Sequence, residues 1–111
     1  MRGTREVKDT YQIIRLAGLL DAFSEPTFKK VLTKSVEDGP KSIVLDLSKI
    51  DFIDSSGLGS LVQLFKKVQT EQGKLQIVTN PRVTQTMKMV HLEQFFSLNT
   101  TLEAAVDKLK A

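Results

Sequence analysis

An α/β fold is predicted: a mixed β-sheet with an N-terminal antiparallel hairpin, parallel βα units and helices mainly on one face. Three observations predict it. Residues 42–48, Ser-Ile-Val-Leu-Asp-Leu-Ser, are nearly continuous in apolar residues and rich in β-branched ones, the mark of a strand covered on both sides. From residue 24 onward, runs with apolar residues at helical spacing alternate with short strand-like runs. Ahead of them, two strand-like stretches are separated by only two residues, which requires an antiparallel hairpin.

The hairpin joins residues 4–8 to Tyr11–Leu16 through Asp9-Thr10, after which Ala17-Gly18-Leu19-Leu20-Asp21 is expected to leave the sheet. Ser24 reads as the N-cap of the first helix, with Pro26 in the first turn, where its missing N–H costs nothing. Phe28, Val31, Leu32 and Val36 form its inner stripe, and Gly39-Pro40 ends it. The 42–48 strand contains one carboxylate, Asp46, which is expected near a solvated strand end because a buried charge needs a partner. Leu58, Leu61, Val62, Phe65 and Val68 mark a second helix reaching about Glu71, closed by Gly73. Lys74–Thr79 is the next strand, and Asn80-Pro81 turns out of it. A third helix over 82–91 turns Val83, Met87 and Val90 inward, residues 95–98 form a last short strand, and Leu102, Ala105, Val106 and Leu109 make a final helix amphipathic, capped by Thr100 or Thr101. Parallel crossovers are right-handed in nearly all proteins. Strands added successively on one side therefore bring their crossover helices to one face.

Length and composition narrow the function. A chain of 111 residues has room for one domain, residues 1–111, around one core. It has no cysteine, so disulfides and thiolate chemistry are excluded and a metal site would lack soft ligands; no metal and no cofactor are expected. The net charge of +3 comes from scattered basic residues rather than one basic face, and the aromatics are six Phe and one Tyr, which argues against nucleic-acid binding. No apolar run approaches the roughly 20 residues of a membrane span, and Met1–Glu6 is not followed by an apolar segment of a secretory signal. A cytoplasmic protein without membrane insertion is the expectation.

The stretch that organises the chain is Ile53-Asp54-Ser55-Ser56-Gly57-Leu58-Gly59. It lies where a strand hands over to a helix, the place where α/β proteins put their working groups. A serine just before a helix is most often an N-cap, but Ser55 and Ser56 cannot both occupy that position. Gly57 and Gly59 cost helix stability, about 1 kcal/mol each in a helix interior, which suggests a need for close backbone approach at the helix head.

The Asp-Ser-Ser-Gly-Leu-Gly block after a strand, with Gly18-Leu19-Leu20-Asp21 one βα unit earlier, resembles the STAS domain of anti-sigma factor antagonists, and the likeness extends over nearly the whole chain. The resemblance implies that Ser55 is phosphorylated by a partner kinase, with Asp54, Ser56, Gly57 and Gly59 as the neighbourhood of the switch and Ser56 as the helix cap. It implies that the unmodified domain binds an anti-sigma factor with serine-kinase activity, that a serine phosphatase resets the switch, and that sigma-factor-dependent transcription is regulated without DNA contact. Gly18, Leu19 and Asp21 would then form part of the docking face, with Arg82 at its rim. Leu19 departs from the polar residue frequent at that position in the antagonists, which makes the loop more apolar and bears on partner identity. A STAS subunit of a membrane transport complex or a stress-signalling scaffold is the alternative within the fold.

Enzymatic readings fit less well. The nucleophile elbow Gly-x-Ser-x-Gly is not matched, because Ile53 stands two residues before Ser55. The single histidine, His91, is expected near a helix end in a solvated or packing role. No Gly-Lys-Ser/Thr ending of a P-loop occurs. Asp46 and Asp54 come without the acidic pair and lysine of a phosphoaspartate receiver.

Overall fold

The computed structural model describes residues 2–110. The elements run β1 (Arg2–Val7), β2 (Tyr11–Leu20), α1 (Glu25–Asp38), β3 (Ser42–Ile53), α2 (Ser55–Thr70), β4 (Leu75–Val78), α3 (Pro81–Met89), a 3₁₀ turn (Leu92–Gln94), β5 (Ser97–Asn99) and α4 (Leu102–Lys110). The five strands lie in sequence order in one sheet, with β1 and β2 antiparallel and every later pair parallel. The mixed sheet, the hairpin and the βα order are those read from the sequence. Helices α1, α2 and α3 share one core with Ile14, Leu16 and Leu20 of β2 and Ile43, Leu45 and Leu47 of β3. Helix α4 packs on the opposite face, where Ala105 meets Ile13, Val44 and Val78. Phe65 and Phe96 meet edge to face at 5.8 Å between centroids.

The larger departures from expectation concern the strand ends. β2 does not release the chain at Leu16 but continues to Leu20, and β3 runs to Ile53 rather than Ser48. Both extensions depend on two bulges in β3: five steps of β2, from Arg15 to Leu20, are matched by seven of β3, from Asp46 to Ile53. Each extra residue reverses the alternation of side chains. Leu47, Ile50 and Ile53, three residues apart, therefore all reach the same core. Gly18 lies at the second irregularity with φ of 110°, a conformation strained for any residue with a Cβ. Because β3 is longer than expected, Asp46 sits in mid-strand rather than near a strand end. It is half-buried, and its Oδ1 accepts the N–H of Ser48 beside the first bulge.

Smaller corrections follow from packing. Val31 is 45% exposed, and Ser35 takes its place in the inner stripe of α1, its hydroxyl donating to Val31 O. Val90 is exposed beyond the end of α3, and β5 starts at Ser97, two residues later than expected. Leu64 joins the inner face of α2. Thr101 is the residue that caps α4, accepting from Ala104 N.

Candidate functional site

The parallel strands β2, β3 and β4 end on one edge of the sheet, where the Asp21–Ser24 loop, the head of α2 and the head of α3 come together. Asp54 organises the first two. It is the N-cap of α2, and its Oδ1 accepts from Gly57 N at 3.0 Å. Ser56, expected as the cap, lies inside the first turn instead. A carboxylate one residue before the helix reaches the free N–H groups and also meets the positive end of the helix dipole, so it outcompetes a hydroxyl already inside the turn. The other oxygen of Asp54, Oδ2, accepts from Ala22 N at 3.2 Å, and its backbone N–H donates to Leu20 O at 3.1 Å.

Ser55 is the first residue of α2 and is exposed, and its hydroxyl has no hydrogen-bond partner among the described residues. Ser56 is half-buried. The two glycines beyond differ in their reasons. A Cβ on Gly57 would come within 2.5 Å of Leu20 O and 2.9 Å of Ile53 Cγ1, so the close approach expected there is real. A Cβ on Gly59 would meet nothing within 4 Å, and the fold gives no reason for glycine at that exposed position.

The preceding loop is self-supporting. Asp21 Oδ1 accepts from Phe23 N and Ser24 N at 3.0 and 3.1 Å. Ser24 stands at the N-cap position of α1 but does not cap it; its hydroxyl donates to Leu19 O at 2.9 Å and accepts from Asp21 N. Phe23 projects from this frame with 97% of its surface exposed. Leu19 and Phe52, paired in register on β2 and β3, are 48% and 51% exposed. Leu19, Asp21, Phe23, Ser24 and Thr27 line a shallow groove of about 460 Å³.

Neither Phe23 nor Phe52 was singled out from sequence. An apolar residue just before an N-cap ordinarily folds back onto the fourth residue of the helix, here Phe28. Phe28 is fully buried and Phe23 is not, so that staple is not made. Arg82 lies on the same edge in a separate groove with Ile50, Asp51, Asn80, Pro81 and Gln85; its guanidinium donates to Asp51 O at 3.0 Å. Asn80 caps α3 and ties it to Ser48 O and Ile50 O. The grooves of Leu19 and Arg82 share no lining residue.

His91 follows the C-terminal end of α3, whereas Ser55 opens α2; both helices begin on the same edge of the sheet, so a serine–histidine pair is not formed. Among the described residues no three His, Asp or Glu side chains gather to hold a metal ion, and no helix is long and apolar enough to cross a membrane.

Comparison with known proteins agrees with the fold. The family model described as the STAS domain matches residues 4–105. The anti-sigma-B factor antagonist of Staphylococcus aureus (strain NCTC 8325 / PS 47) is 26% identical over 97 residues, covering 86% of this chain and 90% of that protein. The crystal structure of an anti-sigma factor antagonist from Mycobacterium paratuberculosis superposes with a TM-score of 0.90 at 25% identity, over 99% of this chain and 94% of that one. The Bacillus cell fate determinant SpoIIAA, in its phosphorylated form, shares the fold with a TM-score of 0.72 at 20% identity, over 96% of this chain and 98% of that one.

Proposed function

The chain belongs to the STAS domain family, and on that footing we propose that it is an anti-sigma factor antagonist switched by phosphorylation of Ser55. Unmodified, the Ser55 edge binds an anti-sigma factor with serine-kinase activity and so frees a sigma factor. The kinase passes the γ-phosphoryl group of ATP to Ser55 Oγ, the hydroxyl proton leaves, and ADP departs with the kinase. A serine phosphatase restores the hydroxyl. The chain itself catalyses nothing, needs no cofactor and works in the cytoplasm without touching DNA.

The observation that carries this reading is the exposed, unpartnered hydroxyl of Ser55 on an edge that also displays Phe23, Leu19 and Phe52. The names of the relatives support it. Gly59 adds to it: a bare, exposed position inside a helix is explained by a partner that approaches the backbone closely. Phosphate adds about −1.5 to −2 charges. At a helix head these meet free N–H groups, so the isolated domain tolerates them. A partner carboxylate about 4 Å from one phosphate charge would be repelled by roughly 4 kcal/mol at an effective dielectric of about 20. Half of that lowers affinity by more than about tenfold.

Phosphopeptide mapping after incubation with ATP and the partner kinase tests the assignment. Ser55→Ala is expected to bind and resist the kinase, and Ser55→Asp to bind weakly. Phosphate confined to Ser56, or a Ser55→Asp variant that binds normally, refutes it.

A further inference from the structure

The loop of residues 21–24 is flanked by two ties to the α2 segment, Asp54 N to Leu20 O and Ser60 Oγ to Glu25 Oε1, and between them is joined to it by one hydrogen bond among the described residues, Ala22 N to Asp54 Oδ2. The same carboxylate caps α2 through Gly57 N. One side chain thus holds both the helix that carries Ser55 and the loop that carries Phe23. Its two grips differ in setting: the bond to Gly57 lies at the positive end of a helix dipole, while the bond to Ala22 lies in an exposed loop. The rest of the loop, held by Asp21 and Ser24, does not depend on Asp54.

We propose that Asp54 is a positioning residue that transmits the state of Ser55 to the Phe23 loop. This rests on Ser55 being the modified residue. Phosphate on Ser55 adds negative charge next to the Asp54 carboxylate and competes with it for the N–H groups of the first turn. Asp54 keeps the stronger grip, on the helix, and gives up the weaker one, on Ala22. The loop keeps the frame that Asp21 and Ser24 give it, but Phe23 loses its fixed position relative to Ser55. The phosphate therefore acts twice on docking, by repelling the partner directly and by loosening the apolar anchor beside it. A preorganised anchor costs less to immobilise on binding, so losing it weakens docking even where the partner carries no carboxylate near the phosphate.

The test uses the isolated full chain with phosphoserine installed at position 55 by codon reassignment, so that no kinase is needed. Amide hydrogen exchange at Ala22 is measured by NMR, with Ser24 as the internal control because Asp21 holds it. Phosphorylation is expected to speed exchange at Ala22 by about tenfold, the factor set by losing one hydrogen bond to a charged group, and to leave Ser24 unchanged. Asp54→Asn still caps α2 through its amide oxygen, but its amide nitrogen cannot accept from Ala22. In this variant Ala22 is expected to exchange fast whether or not Ser55 carries phosphate. Three results overturn the proposal: Ala22 unaffected by phosphate in the natural chain, Ser24 speeding up together with Ala22, or a phosphate effect of the same size in Asp54→Asn. Each of these leaves Ser55 standing as a switch, which the mapping experiment decides separately.

Discussion

Adding the same methyl group two residues apart in α2 is expected to change stability in opposite directions. In Gly57→Ala the new Cβ would lie 2.5 Å from Leu20 O, 2.8 Å from Leu20 Cγ and 2.9 Å from Ile53 Cγ1. Two of these neighbours are fully or nearly fully buried, and the closest is a backbone carbonyl that also accepts from Asp54 N. Relief therefore means moving the end of β2 away from α2. Overpacking of this kind costs about 1–3 kcal/mol, and the gain in helix propensity recovers at most about 1 kcal/mol. Even with that gain fully realised, the net loss reaches about 2 kcal/mol. In Gly59→Ala the new Cβ meets nothing within 4 Å, so only the propensity gain of about 1 kcal/mol remains. For a domain of about 100 residues each kcal/mol moves Tm by roughly 4 °C or more. Calorimetry should place Gly59→Ala several degrees above the natural chain and Gly57→Ala several degrees below. Urea titration with an unchanged m-value would confirm that stability changed and that the compactness of the folded and unfolded states did not. If Gly57→Ala equals or exceeds the natural chain, or Gly59→Ala is destabilised, the account of why each glycine is there is wrong.

Phe23→Ser removes a side chain that the folded domain leaves in water, so Tm should stay within about 1 °C while affinity for the proposed anti-sigma partner falls about tenfold to a hundredfold, the value of burying one large apolar side chain; titration calorimetry reads the affinity. Gly59→Leu should likewise fold normally and fail to bind. Gly18→Ala, which forces a Cβ into φ of 110°, is expected to cost more than about 1 kcal/mol by denaturant titration. At the hairpin, a hydrogen bond from Lys8 and another from Arg15 hold the Glu6 carboxyl below its ordinary range, and Glu6 in turn raises Lys8. The Glu6 contribution is present above the ordinary carboxylate range and lost as pH falls through the lowered value. The Tm difference between the natural chain and Glu6→Gln should therefore be small at neutral pH and vanish in acid.

The order of elements was legible because each helix carries an apolar stripe and the central strand an apolar run. What was not legible is local and has two physical sources. Alternation identifies a strand only while it lasts, and the two bulges of β3 replace a spacing of two with Leu47, Ile50 and Ile53 at a spacing of three. Ser48 looked like the end of the strand for that reason, and Asp46 like a residue near it. At the site, Asp54, Ser55 and Ser56 are three consecutive residues all able to cap, and only geometry shows that the carboxylate does so and leaves the Ser55 hydroxyl unpartnered. The exposure of Phe23 was hidden by a rule that usually holds, the apolar staple across an N-cap.

The doubled irregularity in β3 makes the stretch from Leu47 to Asp54 a measure of length rather than a pattern of residue types. Swapping Ser48, Lys49 or Asp51 for other polar residues alters exposed or half-exposed side chains and leaves the count intact. A deletion that takes one bulge with it is absorbed: six steps with one irregularity still pair Ile53 with Leu20 and keep it facing the core, whereas a deletion that leaves both bulges turns Ile53 outward and brings Phe52 inward. This segment should therefore accept most substitutions, and a single-residue deletion wherever the ladder can give up one bulge. A deletion scan of residues 48–52, scored for soluble folded protein, would locate those positions.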